Sequence, residues 1–350
     1  VEIVLQCNHR KVLPITFLLA IFIVAMGIAG CAKKEAGRQA EQPEQKPTLV
    51  FADAGWDSIR FHNDVAGFII KNGYGYKTDV ITGNTPVTFT GLRRGDIDIY
   101  MEVWTDNIID EYTDALEKGD IIEVSVNFDD DMQGLYVPTY VIKGDPSRGI
   151  KASAPGLRTV SDLAKYWQVF RDPEDKNKGR IYGAIPGWAV DKIITEKIKN
   201  YGLDKYYNIF HPGSDTALST SMVQAVEKGV PWVGYYWEPT WIIGKYDMTL
   251  LQEEPYSKEK WEKGYMCQFP AVKVTVAINK DLTKDAPDVV EFLKKYKTSS
   301  SITSEALAYM QEKNVGTDEA AKYFLKNHKD TWTKWVPSEI AGKIEAALNK

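Results

Sequence analysis

The chain has 350 residues, 43 basic and 48 acidic side chains, and a net charge of −5 at neutral pH. That mildly acidic balance argues against nucleic acid as a partner. Three cysteines in a chain of this length exclude a disulfide-built scaffold.

Residues 1–31 carry His9, Arg10 and Lys11 ahead of an uncharged stretch, 12–30, which closes in Ile28-Ala29-Gly30-Cys31. This is the layout of a signal peptide, and its last four residues resemble a bacterial lipobox in which Cys31 is lipidated. The alternative is a transmembrane anchor, because the stretch is just long enough to span a bilayer. Either reading puts the folded part outside the cytoplasm. Residues 32–48 hold no large apolar side chain and read as a flexible tether. The roughly three hundred residues that follow exceed one ordinary core, so two lobes are expected. With Cys7 in the signal and Cys31 lipidated, Cys267 has no partner and no disulfide is expected.

Residues 49–51 form a short buried strand, and Phe61, Val65, Phe68 and Ile69 then recur at helical spacing. Asp57 or Ser58 is the expected cap of that helix and Asn72-Gly73 its end. A strand at 78–81, a helix at 86–94 stopped by Gly95, a strand at 97–103 and a helix around Ile108 to Leu116 follow. This alternation predicts parallel βαβ units. It then recurs as a strand at 180–184, a helix carrying Val190, Ile193, Ile194, Ile198 and Tyr201, a strand at 206–210, a helix at 215–228 and a strand at 233–236. The β-rich segments 134–142 and 272–278 are candidate hinge crossovers. From Ala286 on, helices are expected at 287–296, 304–313, 317–325 and 338–348, returning to cover the first lobe. The expected fold is α/β, a two-lobed clamp whose lobes are mostly parallel sheets flanked by helices. Its divisions are 49–141 with 273–350 for the first lobe and 142–272 for the second.

A duplicated pattern sits on this frame. Ala52-Asp53-Ala54-Gly55-Trp56 is followed by Trp104 after 48 residues, and Ala184-Ile185-Pro186-Gly187-Trp188 by Trp237 after 49. All four indoles fall at strand ends or strand-to-helix junctions, where open α/β sheets place ligands. Trp167, Trp232, Trp261, Trp332 and Trp335 are assigned to packing or surface, and Trp241 to neither role.

Catalysis has little support. His62, His211 and His328 are far apart and lack metal-ligand spacing, and no nucleophile elbow, phosphate loop or dinucleotide fingerprint is present. Adjacent carboxylates such as Glu253-Glu254 and Asp129-Asp130-Asp131 read as solvated turns. No cofactor, catalytic residue or metal site is expected.

An indole face attracts a cation that lacks N–H groups by about 0.5–1 kcal/mol when exposed and about 2 kcal/mol when desolvated. Several faces together supply on the order of 5 kcal/mol, whereas micromolar affinity needs about 8 kcal/mol. The remainder calls for a second group on the ligand. A carboxylate fits, because Ala189 and Val190 begin a helix and their N–H groups form an anion site.

Pro186-Gly187-Trp188, the run Tyr235-Tyr236-Trp237-Glu238-Pro239-Thr240-Trp241 and Val103-Trp104-Thr105 resemble motifs of the glycine betaine-binding proteins of osmoprotectant ABC transporters. The resemblance spans about residues 49–350. It implies a tryptophan box of Trp104, Trp188 and Trp237 around a trimethylammonium group, with the ligand carboxylate on the amides of Ala189 and Val190. It also implies a monomeric, extracytoplasmic receptor that hands a quaternary amine to a permease. Trp56 departs from the betaine pattern: related choline binders have a Trp there, followed within two residues by an aspartate. Asp57 therefore points to choline, or serves only as a helix cap. Tyr136 and Tyr140 are weaker box candidates. Glu102, Asp106 and Glu238 flank the box and read as solvent-facing or paired with Lys and Arg; facing the cleft, they would favour a cation such as choline or a polyamine. Carnitine is a further candidate, and a carbohydrate receptor or a secreted hydrolase is a more remote reading.

Overall fold

The computed structural model describes residues 46–350, Ala271 excepted. The signal, the lipidated Cys31 and nearly all of the tether lie outside the described residues. No described helix is long and apolar enough to cross a membrane.

The described strands are β1 (Thr48–Asp53), β2 (Lys77–Thr82), β3 (Ile99–Trp104), β4 (Ile121–Phe128), β5 (Gln133–Pro138), β6 (Gly179–Tyr182), β7 (Tyr207–Phe210), β8 (Gly234–Trp237), β9 (Met248–Leu250) and β10 (Val274–Asn279). They form two five-stranded sheets, in the orders β2-β1-β3-β10-β4 and β7-β6-β8-β5-β9. In the first, β1 runs parallel to β2 and β3, and β10 is antiparallel to β3 and β4. The second repeats the plan: β6 is parallel to β7 and β8, and β5 is antiparallel to β8 and β9. The duplicated tryptophan pattern thus reflects two sheets of the same build, each the core of one lobe of an α/β clamp.

The division expected at 141/142 falls too late. β5 pairs with β8 and β9 and belongs to the second sheet, so the chain leaves the first lobe between Phe128 and Gln133 and returns between Leu250 and Val274. The hydrophobic run 134–142 also breaks in two. Only its first part is a strand, and Thr139–Lys143 is helical.

Local signals explain most boundaries. Asn84 caps the helix Thr85–Arg94 by accepting the Val87 N–H at 3.1 Å, and Gly95 ends it with φ +83°. Ser214 and Gly229 do the same for Asp215–Lys228. The helix Asp57–Ile69 departs from expectation at both ends. Its N-cap is Trp56, held extended after Gly55, and no side chain caps it, so Asp57 is the first helical residue rather than the cap. Nor does Asn72-Gly73 stop it. The chain continues through a wider turn, Ile70–Tyr74, to Gly75, and a Cβ on Gly73 would lie 2.7 Å from Ile340. That glycine serves close approach of the C-terminal helix Ser338–Leu348.

Side chains alternate across the first sheet. Leu49, Phe51, Ile99, Val276 and Ile278 face a core completed by Phe292, Tyr296, Phe324, Trp332 and Trp335 of the C-terminal helices. Those helices therefore cover the first lobe. The opposite face of β1 and β3, with Ala52 and Tyr100, belongs to a second core that runs into Tyr235 and Trp237 of the other sheet. Trp332 is fully buried, its Nε1 donating to the Leu325 carbonyl at 2.7 Å. Trp332→Ala is expected to cost about 3–5 kcal/mol of stability, measured by the shift of a urea unfolding midpoint.

Candidate functional site

Each duplicated junction bends at a glycine in the left-handed region, Gly55 at φ +103° and Gly187 at φ +92°, where other residues are strained. At the first, Asp53 fixes the turn: its carboxylate accepts the Gly55 N–H at 2.9 Å and the Arg60 Nε–H at 2.9 Å. At the second, the Trp188 N–H donates to the Ile185 carbonyl at 3.0 Å. Both turns aim an indole at the space between the sheets. A Cβ on Gly55 would lie 3.6 Å from the Trp188 indole nitrogen, and one on Gly187 would lie 2.8 Å from the Asn84 amide, so the two turns meet across the cleft.

There the structure forms a cavity of about 440 Å³, its open mouth included, lined by all four junction tryptophans. Trp56 and Trp188 meet edge to face with centroids 5.4 Å apart at 80°, and Trp188 meets Trp237 at 5.1 Å and 84°. Perpendicular rings present faces around one volume instead of stacking it shut. Trp104 is half-buried and braced edge to face on Phe128 at 6.0 Å. Ala189 and Val190 also line the cavity, as the first two residues of the helix Ala189–Asn200. Their N–H groups have no intrahelical acceptor, whereas the Asp191 N–H is already taken by the Trp188 carbonyl at 3.0 Å.

Two residues of the sequence-based set lie elsewhere. Asp57 faces Arg60 at 3.5 Å and lines a separate small cavity behind Trp237, with Ser58 and Asp215. Burial raises its pKa. Across the cleft Asp215 lines the same small cavity, and desolvation with the nearby Asp57 charge pushes its carboxyl up to about 7. Tyr136 is buried on β5 with its hydroxyl toward Glu238, off the cavity lining. Tyr140 donates to the carbonyls of Ala225 and Val230 and is structural.

Sequence reasoning missed Tyr100, Thr85, Asn107, Ile108 and Tyr235 of the lining. Tyr235 had a readable signal: it lies two residues before Trp237, hence on the same strand face, and stacks on it at 5.8 Å and 17°.

Glu102 is the main correction. Expected at the surface or paired with a basic residue, it is fully buried on β3, where the strand's register against β10 shifts between Tyr100 and Val103. Its Oε1 accepts three hydrogen bonds, from Trp56 Nε1 at 2.7 Å, Ser58 Oγ at 2.9 Å and Trp104 Nε1 at 3.0 Å. Its Oε2 has no partner among the described residues. Burial outweighs the three donors and pushes its pKa up to about 8. Near it, burial pushes Asp131 up to about 7, and Glu238 is also raised. The cavity is therefore bipolar, with free amide donors at the helix start and carboxyl groups behind and beside the indoles. Such a space suits a small molecule with a methylated cationic end and a short anionic or polar end.

Residues 47–327 match the family described as the substrate binding domain of the ABC-type glycine betaine transport system. The trimethylamine N-oxide-binding protein of Pelagibacter ubique strain HTCC1062 is 23% identical over 334 residues, 93% of this chain and 99% of that protein. Among solved structures, an ABC-transporter choline binding protein in complex with choline has a TM-score of 0.69 at 21% identity, covering 86% of this chain and 98% of that one. Lactococcal OpuAC in its closed form with glycine betaine has a TM-score of 0.66 at 18% identity, covering 83% and 100%. At these identities the structures establish the two-lobed fold alone. The family match spans most of the chain: this protein belongs to the substrate-binding domains of ABC-type glycine betaine transport systems, and it is a solute-binding receptor rather than an enzyme.

Proposed function

We propose that the chain captures a small trimethylated amine, glycine betaine first among them, in the box of Trp104, Trp188 and Trp237 and delivers it to the permease of an ABC transporter. The observation that carries this reading is one cavity lined by every junction tryptophan together with the open amides of Ala189 and Val190. The methylated head would lie on the ring faces and the carboxylate on the two N–H groups. Trp56 would close the box from the first lobe through its contact with Trp188. In this reading the receptor is a monomer held at the outer face of the membrane through Cys31.

A second reading, choline or a related cation without a carboxylate, is favoured by the acidic groups around the box, Glu102, Asp131 and Glu238. Trimethylamine N-oxide, which names one relative, has the same head with a single oxygen. This reading leaves Asp57 out of the contact set; its contact with Arg60 and its place on the cavity behind Trp237 support that.

Calorimetric titration with glycine betaine, choline, trimethylamine N-oxide, carnitine, a polyamine and maltose orders these readings. Glycine betaine is expected to bind most tightly, and no response to any trimethylated amine would sink the proposal. Trp188→Ala should weaken binding by more than about tenfold, since it removes one desolvated face and a wall of the box. Asp57→Asn should leave the ligand ranking unchanged; if it abolishes a dominant choline response, the choline reading replaces the betaine one.

A further inference from the structure

One buried carboxyl group takes the N–H groups of two of the indoles that line the cavity. Glu102 is fully buried, and no lysine, arginine or histidine pairs with it among the described residues. One of its oxygens takes both indole N–H groups, Trp56 at 2.7 Å and Trp104 at 3.0 Å. The two rings come from different elements, the start of the helix Asp57–Ile69 and the end of β3, so a shared acceptor fixes them relative to each other. Both rings line the cavity. An anion on an indole N–H also pushes electron density towards the ring faces, which strengthens their attraction for a cation.

We propose that Glu102 is an electrostatic positioning residue of the cage, orienting Trp56 and Trp104 through their N–H groups and, when ionised, strengthening their faces, so that capture of a methylated cation ionises this buried carboxyl. The proposal rests on the reading of the cavity as a trimethylated-amine site. It deepens that reading by making binding release a proton. Burial holds Glu102 protonated up to about pH 8 in the empty protein. A permanent cation over the faces of the two rings offsets the cost of the charge at their edges, and by linkage the charge favours the cation equally.

The other groups near Glu102 bound the effect. Tyr100 on its own strand and Tyr296 on the first lobe's outer face are raised well away from neutrality by burial. His62, beside Tyr296, is pushed down to about 3 and stays neutral. Asp131 titrates in the same range, at about 7, and so must be separated experimentally. Ser58, the third donor on the same oxygen, is neutral.

The test is calorimetric binding of glycine betaine at pH 7 in phosphate and in Tris, whose different ionisation enthalpies report protons exchanged. Wild type is expected to release a large fraction of one proton, with affinity rising towards pH 8 and level above it. Glu102→Gln keeps an acceptor for the indoles and removes the charge. It should abolish the release, flatten the pH profile and weaken binding about fivefold to tenfold, the span between exposed and desolvated cation–π contacts. Should that variant fail to fold, Ser58→Ala removes one stabilising donor and should carry the proton release to higher pH. Asp131→Asn should retain the release. Unchanged affinity and unchanged release in Glu102→Gln would overturn the proposal, as would a release that survives there and vanishes in Asp131→Asn. Should wild type bind no trimethylated amine at all, the reading of the cavity falls, and this inference with it.

Discussion

The contact between Trp56 and Trp188 joins the two lobes at the place where the cavity lies, and the rest of the site depends on it. Each ring stands at the end of a strand-to-helix turn that only a glycine makes without strain, Gly55 on one side and Gly187 on the other. The perpendicular meeting leaves ring faces uncovered, and Trp237 and Trp104 then bound the same volume. Drawing the lobes apart would separate Trp56 and Trp104 from Trp188 and Trp237. In the proposed reading, closure of the two lobes and completion of the site are one event.

The electrostatics follow from the same closure. Closing the cavity removes water from the carboxyl groups near the rings, and burial raises both Glu102 and Asp131. Three donors on one Glu102 oxygen do not offset its burial. The apposed Asp57 and Asp215 add a cross-cleft pair of acids, with the Arg60 guanidinium 3.5 Å from Asp57 offsetting their repulsion. In the second lobe a buried charge is instead neutralised: Lys197 pairs with Glu253 at 2.6 Å and donates to the Cys267 carbonyl. Packing needs there are met by a conventional ion pair. At the cage they are not.

Much of this was legible in the sequence. The repeated strand-helix alternation, the glycine stops at Gly95 and Gly229 and the junction tryptophans all have local physical causes, and the two sheets follow them closely. What was not legible depended on contacts distant in sequence. β5 reads as a strand from its own residues, but only its pairing with β8 and β9 assigns it to the second sheet. Gly73 reads as a helix stop, yet it answers to Ile340 more than 260 residues on. Glu102 reads as a surface charge because its three donors, on Trp56, Ser58 and Trp104, converge only in the folded chain. Asp57 was drawn into the site by its place beside Trp56, but helical geometry turns it to Arg60.

The most direct test of the central claim is a crystal structure of the protein grown with glycine betaine. The three methyl groups are expected against the faces of Trp104, Trp188 and Trp237, with the carboxylate on the N–H groups of Ala189 and Val190. A ligand seated outside this box, or with its methyl groups turned away from the indoles, would contradict it.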